Sequence, residues 1–233
     1  MAFQMFRNQT APVQGVLFDM DGVVLDTERL YARFWMEAAQ ALGYPMTYEQ
    51  ALGMRSLNSF AGQAKLESYF GPGVSRAVMR DKRVELMDAF VAEHGVEPKP
   101  GIVQLLDFLQ EHGIPAAITT SSPPERVEQY LKPLGLYDRF VKICTGYEVK
   151  QGKPAPDIYI FGAESLGLRP EVCLAIEDSP AGVESAYRAG CMAVLVPDLD
   201  SSDEEMRKKL FAEADSLSDI IPLIACIFEE GML

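Results

Sequence analysis

Between residues 102 and 196 one pattern repeats: a helical stretch, then a short, mainly apolar run. The helical stretches cover about 102–112, 124–134, 156–166 and 181–189, and the apolar runs cover 114–119, 140–144, 172–176 and 191–196. A strand that is apolar at successive positions is buried on both faces. A parallel sheet covered by helices places its strands in that environment. Val16-Leu17-Phe18 reads as one more strand of the same sheet. Between it and residue 98 the periodicity is helical only. Leu30, Phe34, Ala38 and Leu42 recur at helical spacing, Gly43 ends that helix, and Gly71-Pro72-Gly73 breaks the helical stretch between Tyr44 and His94. Pro98-Lys99-Pro100-Gly101 marks the return to the alternating pattern.

The expected fold is therefore α/β: a doubly wound parallel sheet of the Rossmann-like kind. Residues 1–27 and 98–233 form the expected core, and residues 28–97 form a small all-helical domain inserted after the first strand. Residues 203–228 read as one or two further helices.

Open sheets of this kind bind ligands beyond the carboxyl ends of their strands. The polar residues just past the strands fit that rule. The first strand runs into Asp19-Met20-Asp21-Gly22 and the next ends in Thr120-Ser121-Ser122. Lys153 sits in a Gly-Lys-Pro turn before a helix, and the strand from Val172 ends in Glu177-Asp178-Ser179. Taken singly, each set has a plainer reading. Asp-x-Asp-Gly is a common turn, Glu177-Asp178-Ser179-Pro180 and Thr120-Ser121-Ser122-Pro123 are helix starts, and a lone lysine belongs on the surface. The functional reading rests on their conjunction at one end of one sheet. One carboxylate of the Asp19/Asp21 pair can attack phosphorus while the other moves a proton. Glu177 and Asp178 offer oxygen ligands to a hard cation such as Mg2+, together with Asp19 and a backbone carbonyl. Lys153 supplies fixed positive charge for phosphoryl oxygens, and Thr120 a hydroxyl.

Composition removes several alternatives. A formal net charge of −13 disfavours nucleic acid and anionic membrane as partners. It also means that something local, such as a divalent cation, has to reverse the field before an anionic phosphate approaches. Both histidines, His94 and His112, precede a glycine and read as residues of a last helical turn, so a histidine-based triad is hard to build. The four cysteines, Cys144, Cys173, Cys191 and Cys226, follow no metal-binding spacing and read as reduced thiols of a cytoplasmic protein. Neither a secretion signal nor an apolar stretch of membrane length is expected, and a monomer is.

These residues resemble, in order, the four motifs of the haloacid dehalogenase superfamily, in the branch with a small helical cap. The matching stretches run from Phe18 to Thr27, Ile118 to Ser122, Gly152 to Asp157 and Ile176 to Val183. The resemblance implies Asp19 as a nucleophile that forms a phosphoaspartate and Asp21 as general acid and base. It implies Thr120, with Ser121 beside it, and Lys153 as phosphate ligands, and Mg2+ held by Asp19, the Asp21 carbonyl and Asp178, with Glu177 close by. True dehalogenases of the superfamily lack the second aspartate, so Asp21 argues against carbon–halogen cleavage. Within the branch the chain is similar to β-phosphoglucomutases and to sugar- and nucleoside-phosphate phosphatases, including those of pseudouridine 5'-phosphate. Tyr31 stands where the mutases carry a cap histidine, while Lys82 falls near a cap lysine that they use. The expected activity is Mg2+-dependent hydrolysis of a small sugar or nucleoside phosphomonoester. A phosphomutase is the alternative, and a non-catalytic metal-binding regulator a further one. Substrate choice is expected to lie in the cap, with Arg55 in Gly53-Met54-Arg55-Ser56, Tyr31 and Lys82 as candidates. For Arg55 and Lys82 the competing reading is solvated surface charge. For Tyr31 and Trp35, one helical turn apart, it is packing between cap helices.

Overall fold

The computed structural model describes residues 3–7, 12–55, 57, 59–198 and 202–230. The chain divides into two compact units, Met1–Leu25 with Pro98–Leu233, and Asp26–Glu97. Strands β1 (Phe3–Met5) and β2 (Gly15–Phe18) come first. Helices α1 (Glu28–Ala41), α2 (Tyr48–Leu52), α3 (Ser59–Phe70) and α4 (Arg76–His94) make up the second unit. The first unit resumes with α5 (Ile102–Glu111), β3 (Ala116–Thr120), α6 (Pro124–Leu131), β4 (Lys142–Thr145) and α7 (Asp157–Ser165). It closes with β5 (Cys173–Glu177), α8 (Pro180–Ala189), β6 (Met192–Leu195), α9 (Glu204–Arg207), β7 (Ala212–Ala214) and α10 (Ile220–Glu230).

The seven strands form one sheet in the order β1-β7-β6-β5-β2-β3-β4. Every neighbouring pair is parallel except β1 with β7. From β2 the chain builds outward through β3 and β4, then crosses back to lay β5 on the other side of β2. The boundary between β2 and β5 is thus the switch point of the sheet, where ligands bind in folds of this type.

Residue size explains how closely the helices approach. Leu17 lies in register between Ala117 and Ala175, and Ala175 beside Ala193, so one face of the sheet carries mostly small side chains. Ile158, Tyr159 and Ala163 of α7 and Ala186 of α8 pack into that same cluster. Gly162 shows how tight the fit is: a Cβ there would lie 2.6 Å from Thr119 Cγ2 and 3.3 Å from Leu17 Cδ2. The alternate residues are larger. Phe18 lies in register with Ile118 and Ile176, and Ile176 with Val194. Phe140 meets Phe18 edge-on at 5.8 Å between ring centroids. Each such aliphatic or aromatic side chain, fully buried, contributes about 1.5–3 kcal/mol.

Two short strands at one side of the sheet, the edge strand β1 and its neighbour β7, differ from the sequence reading. The expectation for residues 203–228 was helix alone, yet β7 lies among them, parallel to β6 and antiparallel to β1. Strands of three residues, here Ala212-Glu213-Ala214 and Phe3-Gln4-Met5, are too short to carry a periodic signal, and tertiary pairing makes them.

In the second unit, α1 packs along α4, with Phe34 and Phe90 at 5.4 Å between centroids. Ala32, Ala38 and Ala39 let the helices approach, and Trp35, Met46, Met54, Leu66 and Met79 fill the space between them. Thr47 and Gln50 form a reciprocal capping box on α2, and the Ser75 hydroxyl caps α4. The Asp26 N–H donates to the Glu97 carbonyl at 2.9 Å and ties the two ends of the unit together. Both histidines serve helix ends. Nδ1 of His94 lies 3.0 Å from the Phe90 carbonyl oxygen and that of His112 lies 2.8 Å from the Phe108 carbonyl oxygen.

Replacing Gly162 by alanine is expected to destabilise the chain by about 1–3 kcal/mol, because the new methyl group has to displace Thr119 or Leu17. Chemical denaturation reads this as a lower midpoint with an unchanged slope. A midpoint equal to that of the parent chain would show that the α7–sheet contact is slack.

Candidate active site

Strand β2 delivers Asp19 to the carboxyl edge of the sheet, where its N–H donates to the Ile176 carbonyl of β5 at 3.0 Å. The chain then turns sharply. Val24 and Leu25 N–H groups both donate to the Met20 carbonyl at 3.0 Å, and Gly22 adopts a φ of 87°, which only glycine takes without strain. This turn buries Met20, Val23, Val24 and Leu25 and leaves Asp21 half-buried at the rim. Strand β3 brings Thr120 and its neighbours alongside. The Ser122 hydroxyl donates to Asp21 Oδ2 at 2.9 Å, and the Ser122 N–H donates to Thr120 Oγ1 at 3.0 Å. Thr120 is buried and Ser121 is exposed.

Strand β5 supplies Glu177 and Asp178. The hydroxyl of Ser179 caps α8 by accepting from the Gly182 N–H at 3.2 Å. Helix capping and site chemistry are therefore divided between adjacent residues. Glu177 is completely buried, and its carboxylate lies over Gly182, where a Cβ would come within 2.0 Å of all three carboxylate atoms. Lys153, whose peptide bond to Pro154 is cis, sends its ammonium between two strand ends. It donates to Asp19 Oδ1 and to Glu177 Oε1, each at 2.6 Å.

The electrostatics of this group are unbalanced. Ligand oxygens of Asp19, Glu177 and Asp178 all lie within 4.8 Å of one another, and the ammonium of Lys153 pairs with two of these carboxylates, those of Asp19 and Glu177. Burial above all raises the Asp19 carboxyl, the Lys153 charge opposes it, and Glu177 and Asp21 add to it, for a net value of about 8. Burial also works against the Lys153 ammonium, but Asp19 and Glu177 outweigh it and hold that group above its ordinary value. The two shifts differ in their leading cause: burial dominates for Asp19, whereas the neighbouring carboxylates dominate for Lys153. Carboxylate oxygens are hard ligands, and a compact set of them at a sheet edge suits a hard divalent cation.

The structure thus gathers Asp19, Lys153, Glu177 and Asp178 into one cluster, with Asp21, Ser122 and Thr120 linked beside it. Sequence reasoning had not singled out Ser122 or Tyr159. The Tyr159 hydroxyl donates to Glu177 Oε1 at 2.6 Å from inside α7. Ser122 had a signal, its place beside Thr120 at a strand end. Tyr159 had none, because an aromatic residue on an apolar helix reads as core. The second unit holds the remaining candidates. Arg55 is an inward-facing ion pair, with its Nε 2.5 Å from Glu28 Oε2. Lys82 pairs with Glu85 at 2.7 Å on the surface of α4. The guanidinium of Arg83 lies over the Tyr31 ring at 4.7 Å and the Trp35 ring at 5.5 Å. Ser56, Arg55's neighbour in sequence, lies outside the described residues.

Comparison with known proteins identifies the family. A family model described as haloacid dehalogenase-like hydrolase matches residues 13–190. Hexitol phosphatase A of Escherichia coli is 36% identical over 191 residues, covering 78% of this chain and 82% of that protein. A probable pseudouridine-5'-phosphatase of Drosophila melanogaster is 33% identical over 198 residues, covering 81% and 84%. Among solved structures, CbbY from Rhodobacter sphaeroides in complex with phosphate superposes with a TM-score of 0.75 at 26% identity, covering 89% of this chain and 96% of that one.

Below about 8 the Asp19 carboxyl retains its proton, and a cation entering the cluster has to expel it. Cation affinity is therefore expected to rise with pH and to level off above about 8. Calorimetry in buffers of different ionisation heat is expected to record proton release on Mg2+ binding at about pH 7, fading as the pH passes about 8. Binding at the lower pH without proton release would contradict this account of the cluster.

Proposed function

The chain belongs to the haloacid dehalogenase-like hydrolase family, and on that premise we propose that it is a Mg2+-dependent phosphatase of small sugar or nucleoside phosphomonoesters, acting through a phosphoaspartate on Asp19. One observation carries the reading: Lys153 bridges Asp19 and Glu177 at the β2–β5 switch point, with Asp178 in the same cluster. Asp19, the Asp21 carbonyl and Asp178, with Glu177 close by, would hold Mg2+, which would supply the positive charge that lets an anionic ester approach a carboxylate.

The chain's own residues then divide the work. Asp19 attacks phosphorus through a carboxylate oxygen, and the bond from phosphorus to the leaving oxygen breaks. Asp21, oriented by the Ser122 hydroxyl, gives that oxygen its proton. Lys153 and Thr120 hold phosphoryl oxygens as charge shifts onto them, with Ser121 at the exposed rim. In the second step water loses a proton to the Asp21 carboxylate and attacks phosphorus, which releases orthophosphate and restores Asp19. The second unit, residues 26–97, is assigned the choice of leaving group. Arg55 and Tyr31 are held there by Glu28 and Arg83, while Lys82 projects from a helix surface. Tyr31 also bears on the mutase alternative, because a phenol shielded by a guanidinium offers no imidazole for proton transfer. Three buried thiols, all unpaired, accord with a reducing, cytoplasmic setting.

With a panel of hexitol, sugar and nucleoside phosphates, phosphate release is expected only with Mg2+ present. It is expected to fall by at least about 10³-fold in Asp19→Asn. Release that survives chelation or the Asp19→Asn change would overturn the proposal. An isomeric sugar phosphate formed without net release would assign the chain to the mutases.

A further inference from the structure

Glu177 is hydrogen-bonded on every side. Its Oε1 accepts from Lys153 Nζ and from the Tyr159 hydroxyl, both at 2.6 Å. Its Oε2 accepts from the Asp178 N–H and the Ser179 hydroxyl, both at 3.3 Å. Four donors match the roughly four lone-pair directions a carboxylate offers. Tyr159 touches both members of the central ion pair. Its hydroxyl bonds Glu177, and its ring lies 5.1 Å from the Lys153 ammonium, within reach of a cation–π contact. Both Tyr159 and Glu177 are fully buried. A phenylalanine would fill nearly the same volume in the α7–sheet cluster, so packing alone does not call for a hydroxyl there.

We propose that Tyr159 is a positioning residue for phosphoryl transfer: its hydroxyl fixes Glu177 as the counter-ion of Lys153, which aims the ammonium at Asp19 and the phosphoryl group. Two of the three ammonium protons go to Asp19 and Glu177, which leaves one for a phosphoryl oxygen. A second carboxylate donor keeps Glu177 from following Lys153 or turning towards a cation bound by its neighbours. This assignment rests on the proposed phosphatase reading and adds to it a residue outside the four motifs.

The test is steady-state kinetics of Tyr159→Phe, Glu177→Gln and the double variant at saturating Mg2+. Tyr130→Phe, a buried tyrosine of a different helix, α6, is the control. Tyr159→Phe keeps the ring and is expected to lower kcat about tenfold, with KM within about twofold and a thermal midpoint close to the parent's. Tyr130→Phe is expected to leave kcat unchanged. Because Tyr159 acts through Glu177, the double variant is expected to be no slower than Glu177→Gln alone. Parental kcat in Tyr159→Phe, or losses that multiply in the double variant, would overturn the assignment and leave the phosphatase reading standing. A parent chain with no Asp19-dependent phosphate release would overturn both.

Discussion

One ammonium group joins the two strands that meet at the switch point of the sheet. Lys153 comes from the turn before α7, and its Nζ is shared by Asp19 at the end of β2 and Glu177 at the end of β5. A buried ion pair is a poor device for stability alone, because desolvating its charges offsets most of their attraction. Removing one partner, by contrast, leaves an uncompensated buried charge and costs about 3–5 kcal/mol. The arrangement is thus fragile to substitution without being a strong source of stability. Such an arrangement fits a site whose polarity has to be ready before substrate arrives, since groups already oriented need no reorganisation during reaction.

The fold makes room for this pairing with small residues. Ala117, Ala175 and Ala193 flatten one face of the sheet, and Gly162 lets α7 settle on it. That close approach puts the Tyr159 hydroxyl against Glu177. On the far side of the same carboxylate, Gly182 in the first turn of α8 leaves the volume that Glu177 occupies. Stability and chemistry therefore share residues. The contacts that seat α7 and α8 also set where the carboxylates stand, so a packing change at either glycine acts on the site.

Most of the sheet was legible because a fully buried parallel strand announces itself as an uninterrupted apolar run. The run at 172–176 corresponds to Cys173–Glu177, and that at 191–196 to Met192–Leu195. The three-residue strands Phe3–Met5 and Ala212–Ala214 were not legible, since three residues carry no period and the two pair across a long stretch of sequence. The site divides in the same way. Asp19, Asp21, Thr120, Glu177 and Asp178 stand where polar residues follow an apolar strand, and Lys153 in a Gly-Lys-Pro turn before a helix, so each leaves a mark in the sequence. Tyr159 lies inside an apolar helix, and its hydroxyl gains meaning only when α7 is laid against β5. Arg55 shows the opposite limit. Its charge suggested either substrate or solvent, and only the fold revealed a third partner, Glu28.

The central claim is that Asp19 itself becomes phosphorylated, and borohydride trapping during turnover tests it most directly. Borohydride reduces an aspartyl phosphate to homoserine, which peptide mass spectrometry locates. If the account is right, homoserine forms at position 19 only when substrate and Mg2+ are both present, and at no other aspartate. Steady turnover in which Asp19 is recovered unreduced, or in which another carboxylate is trapped, would contradict it.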